Sequence, residues 1–308
     1  MVALACCIPR TGTPGRADPR LWLMTTQQGS GCRRPLEAVR GSRIVQRLLK
    51  VRGVRAAQQA LAVACRLGDP IAYLRGELTG AGRRAHRLRG SGMLVEQRYR
   101  DDRQVLYEIF ALRIYDPPSE PAAVLAAIGR PLNVVDLGAN VGCFTLRAFE
   151  LFDVRWVKAI EPDPANADLL DAAVRSNRLG ERVEVIRAAA APEDGVVQLR
   201  GGLSFNSYVA DDGSGSAVAA RDAFVLMAGA DLVKIDIEGS EWPLLSDPRL
   251  IDLTASVITM EWHGTRGQGR DPEGTAVRGL EAAGYKVLSQ AQTAEEVGNL
   301  WAWKACGP

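Results

Sequence analysis

The chain has 308 residues, 47% of them hydrophobic and 24% charged, a composition that suits one large α/β domain with an appendage and excludes collagen-like and wholly disordered classes. Its net charge of +2 hides an asymmetry, since residues 1–100 carry 19 Lys/Arg against 5 Asp/Glu and the remainder 19 against 31. No stretch approaches the roughly 20 apolar residues needed to cross a bilayer.

Residues 1–42 are rich in Arg, Gly, Pro, Thr and Ser without any helical or strand period, and read as a disordered basic arm or as sequence upstream of the true start. The short apolar patch in Met1–Arg10 lacks the charged flank and length of a secretory signal. Such an arm is either a solvated Arg-biased segment or a surface for an anionic membrane or acidic partner. Its arginines are not interleaved with aromatics, which argues against nucleic acid. The six cysteines (6, 7, 32, 65, 143 and 306) form no C-x-x-C pair, so neither a disulfide framework nor a zinc site is expected and a reducing, cytoplasmic setting fits.

Residues 43–92 form a helical extension. Ile44, Leu48, Val51, Val54, Leu61 and Val63 recur at helical spacing with arginines opposite, giving an amphipathic helix that packs on the main domain or meets a membrane surface or partner. Ala85–Leu88 and Met93–Gln97 predict a hairpin in which His86, among arginines, is a surface residue. Asp101 or Asp102 caps a helix to Arg113, Pro117 and Pro118 break the chain, and a helix over Pro121–Ile128 leads to the first buried strand.

From residue 93 to 308 the pattern becomes that of a Rossmann-like doubly wound α/β domain. Strands are predicted over Asn133–Asp136, Trp156–Ile160, Val183–Arg187, Leu232–Ile237 and Val257–Glu261, with helices over Gly142–Leu151, Pro164–Asn177, Ser240–Leu245 and Pro272–Ala283. This alternation implies a mostly parallel sheet. The final pair, Tyr285–Ser289 and Leu300–Lys304, lacks room for a helix between them and predicts one antiparallel strand near an edge. A Gly-rich excursion follows the third strand to about Gly215.

Four motifs carry chemistry. Val134–Gly142 (VVDLGANVG) is a strand ending in an acid, followed by Gly138 for close backbone approach and Gly142 opening a helix, the layout of a nucleotide-type site. It lacks G-x-G-x-x-G, so a cofactor with an amino-acid tail fits better than a pyrophosphate, with Asp136 facing a cationic centre and the loop amides and Asn140 bonding its polar atoms. Glu161 ends the next strand and is placed to accept ribose hydroxyls, with Pro162 stopping the strand and Asp163 following. In Asp231–Glu241, Lys234, Asp236 and Glu238 alternate along one strand face, and three charges there must pair together or reach the cleft. His263 tips the strand Ile258–His263, placed for proton abstraction with an unperturbed pKa near 6.5.

The strings VVDLGANVGCFTL, IEPDPANADLL and LVKIDIEGSEWPLL, preceded by DDRQVLYEIFALRIYDP, resemble the FkbM-type family of S-adenosylmethionine-dependent O-methyltransferases over residues 93–305. The resemblance implies a seven-stranded Rossmann-like sheet, S-adenosylmethionine as cofactor, and methyl transfer to a hydroxyl of a sugar, polyketide or similar small-molecule or glycan acceptor. It assigns Asp136, Gly138, Asn140 and Gly142 to the cofactor's amino-acid portion, Glu161 to its ribose, and Asp236 and Glu238 to the floor near the methyl. The candidate cofactor set is completed by Ala139, Thr145 and Asp163, and the candidate catalytic residues are His263 and Glu238. No metal is expected, because Asp236 with Glu238 shows no third ligand at matching spacing. Rival readings are a nucleotide-dependent oxidoreductase, against which the missing G-x-G-x-x-G argues, and a non-catalytic scaffold with a basic arm.

Overall fold

The computed structural model describes residues 52–80, 82–200, 208–209, 215–264, 271–290 and 297–304. The chain divides into units Met1–Ala56 and Ala57–Pro308. Of the first, only the opening residues of helix α1 (Arg52–Ala64) are described, so the expected basic arm and the helical positions 44–51 lie outside the described residues.

The second unit begins with the rest of α1, α2 (Pro70–Thr79) and a hairpin of β1 (Arg83–Arg87) and β2 (Leu94–Arg98), paired antiparallel with Arg87 opposite Leu94. A short helix α3 (Arg103–Leu106) widens into a π-turn over Tyr107–Leu112 and stops where Arg113 turns left-handed at φ 61°. Helix α4 (Ser119–Ala127) leads into the sheet.

The main sheet contains β3 (Leu132–Leu137), β4 (Val154–Ile160), β5 (Val183–Ile186), β10 (Leu232–Ile235), β11 (Val257–His263), β12 (Lys286–Ser289) and β13 (Val297–Trp303), in the order β12-β13-β11-β10-β3-β4-β5. All neighbours pair in parallel except β13, which runs antiparallel between β11 and β12. The order reverses between β3 and β10, the switch point where a crevice opens at the strands' carboxyl ends.

Two-residue alternation sorts the core onto the two sheet faces. Val134, Leu232, Val257 and Trp301 join one cluster, with α5 (Cys143–Leu151), α6 (Pro164–Ser176) and residues of α1, α2 and the hairpin. Val135, Val233, Ile258 and Leu300 join the other, with α7 (Ala223–Met227), α8 (Glu241–Leu245) and α9 (Pro272–Ala282). Burying one such aliphatic side chain contributes about 1.5–3 kcal/mol.

Three expectations change. The excursion after the third strand is a separate sheet of β6 (Ala189–Ala191), β7 (Gly195–Arg200), β8 (Tyr208–Val209) and β9 (Ser216–Asp222), ordered β6-β9-β7-β8; glycines and short strands obscured its period. The boundary expected at residue 93 falls inside the compact unit, because Val63, Leu67, Tyr73 and Val95 are fully buried in the cluster that also holds Val134 and Phe144. His86 is fully buried instead of exposed, its Nδ1 2.8 Å from Asp69 Oδ1 and its Nε2 2.9 Å from Tyr99 Oη. Its strand alternation turns it inward while the flanking arginines face solvent.

Candidate active site

The loop after β3 is shaped by close approach. Gly138 (φ 77°) lies so near the next strand that a Cβ there would stand 1.8 Å from the carbonyl oxygen of Asp236, so only glycine is accommodated. Asn140 (φ 51°) and Gly142 (φ 87°) are also left-handed. The N–H groups of Gly138 and Ala139 both donate to Ile160 O, that of Asn140 to Glu161 Oε2, that of Val141 to Asn140 Oδ1, and that of Gly142 to Ala139 O. The expectation that these amides are open donors is therefore not met, because the end of the neighbouring strand takes three of them and the loop itself the other two.

Asp136 is fully buried behind this loop: Thr145 Oγ1 donates to its Oδ2 at 2.8 Å and Lys234 Nζ stands 3.2 Å from its Oδ1. It faces a cation of the protein's own, contrary to the expectation that it looks onto a ligand. Lys234, buried on the adjoining strand, also lies 3.4 Å from Asp236 Oδ2 and donates to Gly138 O at 2.8 Å. Burial works against its charge, but Asp136 and Asp236 outweigh it and push its pKa upward. This ammonium ties the glycine loop to the strand end that carries Asp236.

Glu161 closes β4 and is buried. Its Oε2 accepts the Asn140 N–H at 2.8 Å and its Oε1 that of Asp163 at 2.9 Å, with Asn166 Nδ2 at 3.4 Å. Burial raises its pKa to about 7 even against those hydrogen bonds. Asp163 caps α6, its Oδ1 accepting from Ala165 N and Asn166 N, with Pro164 in the first turn.

Beyond Ile235 the backbone leaves β10, two residues earlier than expected, and turns through Glu238 (φ 53°) and Gly239 (φ 94°). Lys234, Asp236 and Glu238 therefore do not share one strand face. Glu238 swings to His263, with Oε2 3.4 Å from Nε2. Glu241, fully buried, holds the turn: its Oε1 accepts the N–H of Ile237 at 3.2 Å and of Gly239 at 3.1 Å, and lies 3.0 Å from His263 Nδ1. Glu261 joins from β11 with Oε1 3.6 Å from His263 Nε2. Tyr115 Oη donates to Asp236 Oδ2 at 3.0 Å and reaches Glu261 Oε2 at 3.3 Å.

His263 departs from the unperturbed imidazole expected. Burial disfavours its charge, but the hydrogen bond to Glu241 and the carboxylates of Glu241, Asp236 and Glu238 prevail and raise its pKa to about 10. Glu238 and Glu261 are pushed upward by burial and then by Asp236. The sequence reading passed over Glu241 and Glu261, although each carries a signal: the first closes the DIEGSE string, and the second shares a strand face with His263 by two-residue alternation. Tyr115, 121 residues from Asp236, carries no such signal.

Residues 136–287 match the family model of the methyltransferase FkbM domain. The match takes in 152 of the 308 residues, just under half of the chain, and over them the chain is similar to the FkbM methyltransferase domain. No similar sequence is found among curated proteins. Among solved structures it is similar to the methyltransferase FkbM from Methylobacillus flagellatus, at 17% identity and TM-score 0.42, covering 81% of this chain and 59% of that one. It is also similar to precorrin-6y C5,15-methyltransferase from Geobacter metallireducens (17% identity, TM-score 0.38, 60% of this chain and 87% of that one). A third is M. jannaschii TYW2 in complex with AdoMet (14%, 0.38, 71% and 84%). This chain thus spans less than two thirds of the first of these.

The similarity to a methyltransferase domain implies an S-adenosylmethionine-type cofactor, and the residues after β3 and β4 fit one. Glu161 Oε2, with one backbone donor among the described residues, keeps acceptor capacity for a ribose hydroxyl. Among the described residues, no helix is long and apolar enough to cross a membrane.

Proposed function

We propose that this FkbM domain transfers a methyl group from S-adenosylmethionine to a hydroxyl of a small metabolite, a sugar or a polyketide-type acceptor. The observation that carries the reading is the contact of Gly138 with the carbonyl of Asp236, which joins the cofactor loop and the acidic strand end into one site. Gly138, Asn140 and Gly142 shape the cofactor's bed, and Glu161 bonds its ribose.

When bound, S-adenosylmethionine supplies an activated sulfonium methyl that leaves its sulfur for the acceptor oxygen, so holding the two in near-attack geometry is much of the catalysis. Glu238 takes the hydroxyl proton as that oxygen bonds to carbon. It is the more accessible partner of the pair, its side chain 31% exposed against 11% for His263. His263, fixed through Nδ1 by Glu241, orients Glu238 and balances its charge. Glutamate replaces histidine here as the base expected from the sequence.

The test is incubation of the full chain with methyl-labelled S-adenosylmethionine and panels of hydroxyl-bearing and amine-bearing metabolites, with the product's labelled atom located by mass spectrometry. Label on oxygen is expected. Label confined to nitrogen or carbon would overturn the O-directed reading, and failure to bind S-adenosylmethionine would overturn the whole.

A further inference from the structure

The expectation of no third metal ligand rested on sequence spacing around Asp236 and Glu238. Folding brings Glu261 and His263, from the adjacent strand, against Asp236, and one ligand atom from each of Asp236, Glu261 and His263 lies within 4.8 Å of the others. We propose that these three side chains bind a divalent cation beside the acceptor position. The inference rests on the methyl-transfer reading for its purpose, though not for its chemistry.

The support lies in how the three groups are held. A metal-binding imidazole typically donates its second ring N–H to a carboxylate, and metal-binding carboxylates are themselves hydrogen-bonded from behind. His263 meets Glu241 through Nδ1, which leaves Nε2 toward Glu238 and Glu261. Asp236 uses Oδ2 for Tyr115 and Lys234, and among the described residues Oδ1 has no hydrogen bond. Glu261 uses Oε2 for Tyr115 and for Asn299 Nδ2 at 3.3 Å, and Oε1 faces the imidazole. Asp236 and Glu261 are thus tied at the rear and open at the front, and at His263 the cation takes the place of the Nε2 proton, which is lost to solvent as the ion binds.

A second observation points to a ligand. Asn299, directly opposite Glu261 in the sheet, is only 2% exposed, and its Nδ2 donates to Glu261 Oε2 while, among the described residues, its Oδ1 has no partner. A buried carbonyl oxygen without a donor is costly in a native interior, and a cation or its bound water provides what it lacks. The charge count agrees. The carboxylates of Asp136, Asp236, Glu238, Glu241 and Glu261 crowd around one ammonium, Lys234, and one imidazole, His263.

Two carboxylates with one imidazole and no thiolate suit Mn²⁺ or Mg²⁺ better than a soft metal. Such an ion coordinates an acceptor hydroxyl and eases the loss of its proton to Glu238.

The test uses the full chain after chelator treatment and dialysis, without S-adenosylmethionine. Mn²⁺ is titrated in and free ion is followed by electron paramagnetic resonance. One bound Mn²⁺ per chain, displaced by excess Mg²⁺, is expected, with ¹⁴N modulation from the imidazole in the pulsed spectrum. Glu261→Gln should weaken binding by at least about tenfold, the low end for lost metal-site contacts, while the exposed Asp194→Asn leaves it unchanged. Mn²⁺ that stays wholly free, that binds without nitrogen modulation, or that binds a folded Glu261→Gln chain equally well overturns the proposal. The nitrogen signature needs no variant, so a misfolded mutant leaves the test standing. Separate calorimetry with S-adenosylmethionine tells a failure of this inference from a failure of the methyl-transfer reading.

Discussion

Glu241 and His263, 22 residues apart, meet with Oε1 3.0 Å from Nδ1 inside the protein, and that same oxygen holds the N–H groups of Ile237 and Gly239. One buried carboxylate therefore sets both the strained turn that presents Glu238 and the orientation of the imidazole facing it.

Removing that carboxylate should be costly. Glu241→Ala leaves two backbone donors and an imidazole without their acceptor, and loss of one partner from a buried ionic pair costs about 3–5 kcal/mol. Urea denaturation should show the midpoint falling accordingly with little change in slope. A loss below about 1 kcal/mol would mean that water or another side chain takes over its bonds.

Replacing Glu238 by Gln keeps the shape and removes the base. Turnover should fall roughly 10² to 10⁴-fold with S-adenosylmethionine affinity almost unchanged, the range for lost general-base help. Single-turnover kinetics with an accepted hydroxyl substrate would measure it. Turnover within a few-fold of the parent enzyme would remove Glu238 from the proton path.

Glu161 makes a prediction about pH. Its carboxyl titrates near 7 in the fold, raised by burial from 4.5, so across that window the folded chain holds a proton that the unfolded chain has lost. This group's contribution to stability should fall as pH rises from about 4.5 to about 7 and level off above. Glu161→Gln should flatten that slope in denaturation measured at several pH values. Affinity for S-adenosylmethionine should move the other way, tightening through pH 7 as the carboxylate forms to accept ribose hydroxyls, and the variant should lose this dependence in calorimetry.

A chain beginning at Met93 should fail to fold, although it retains every cofactor motif. It lacks β1 as the partner of β2 and uncovers Val95 and Tyr99, which are buried with Val63, Leu67 and Tyr73 in one cluster. Circular dichroism and gel filtration would show aggregation, whereas a chain beginning at Ala57 should remain monodisperse. A folded, cofactor-binding Met93 chain would return the domain boundary to the position expected from the sequence.

The alternation of apolar strands and amphipathic helices from Leu132 onward was legible in the sequence, as was the antiparallel strand near the edge, because period and length depend on local chemistry. So was the resemblance to the FkbM methyltransferase domain, carried by contiguous strings around Asp136, Glu161 and Asp236. What a charged residue does in that frame depended on partners far along the chain. Asp136 looked like a ligand for a cationic cofactor until Lys234, from a strand that follows it by nearly a hundred residues, stood 3.2 Å away. His263 looked like a neutral base until Glu241 and its neighbours raised its pKa to about 10. Tyr115 and Asn299 reach the acidic cluster only through tertiary packing. Secondary structure follows from neighbours in sequence, while ionisation and ligand geometry follow from neighbours in space, which only the folded sheet brought together.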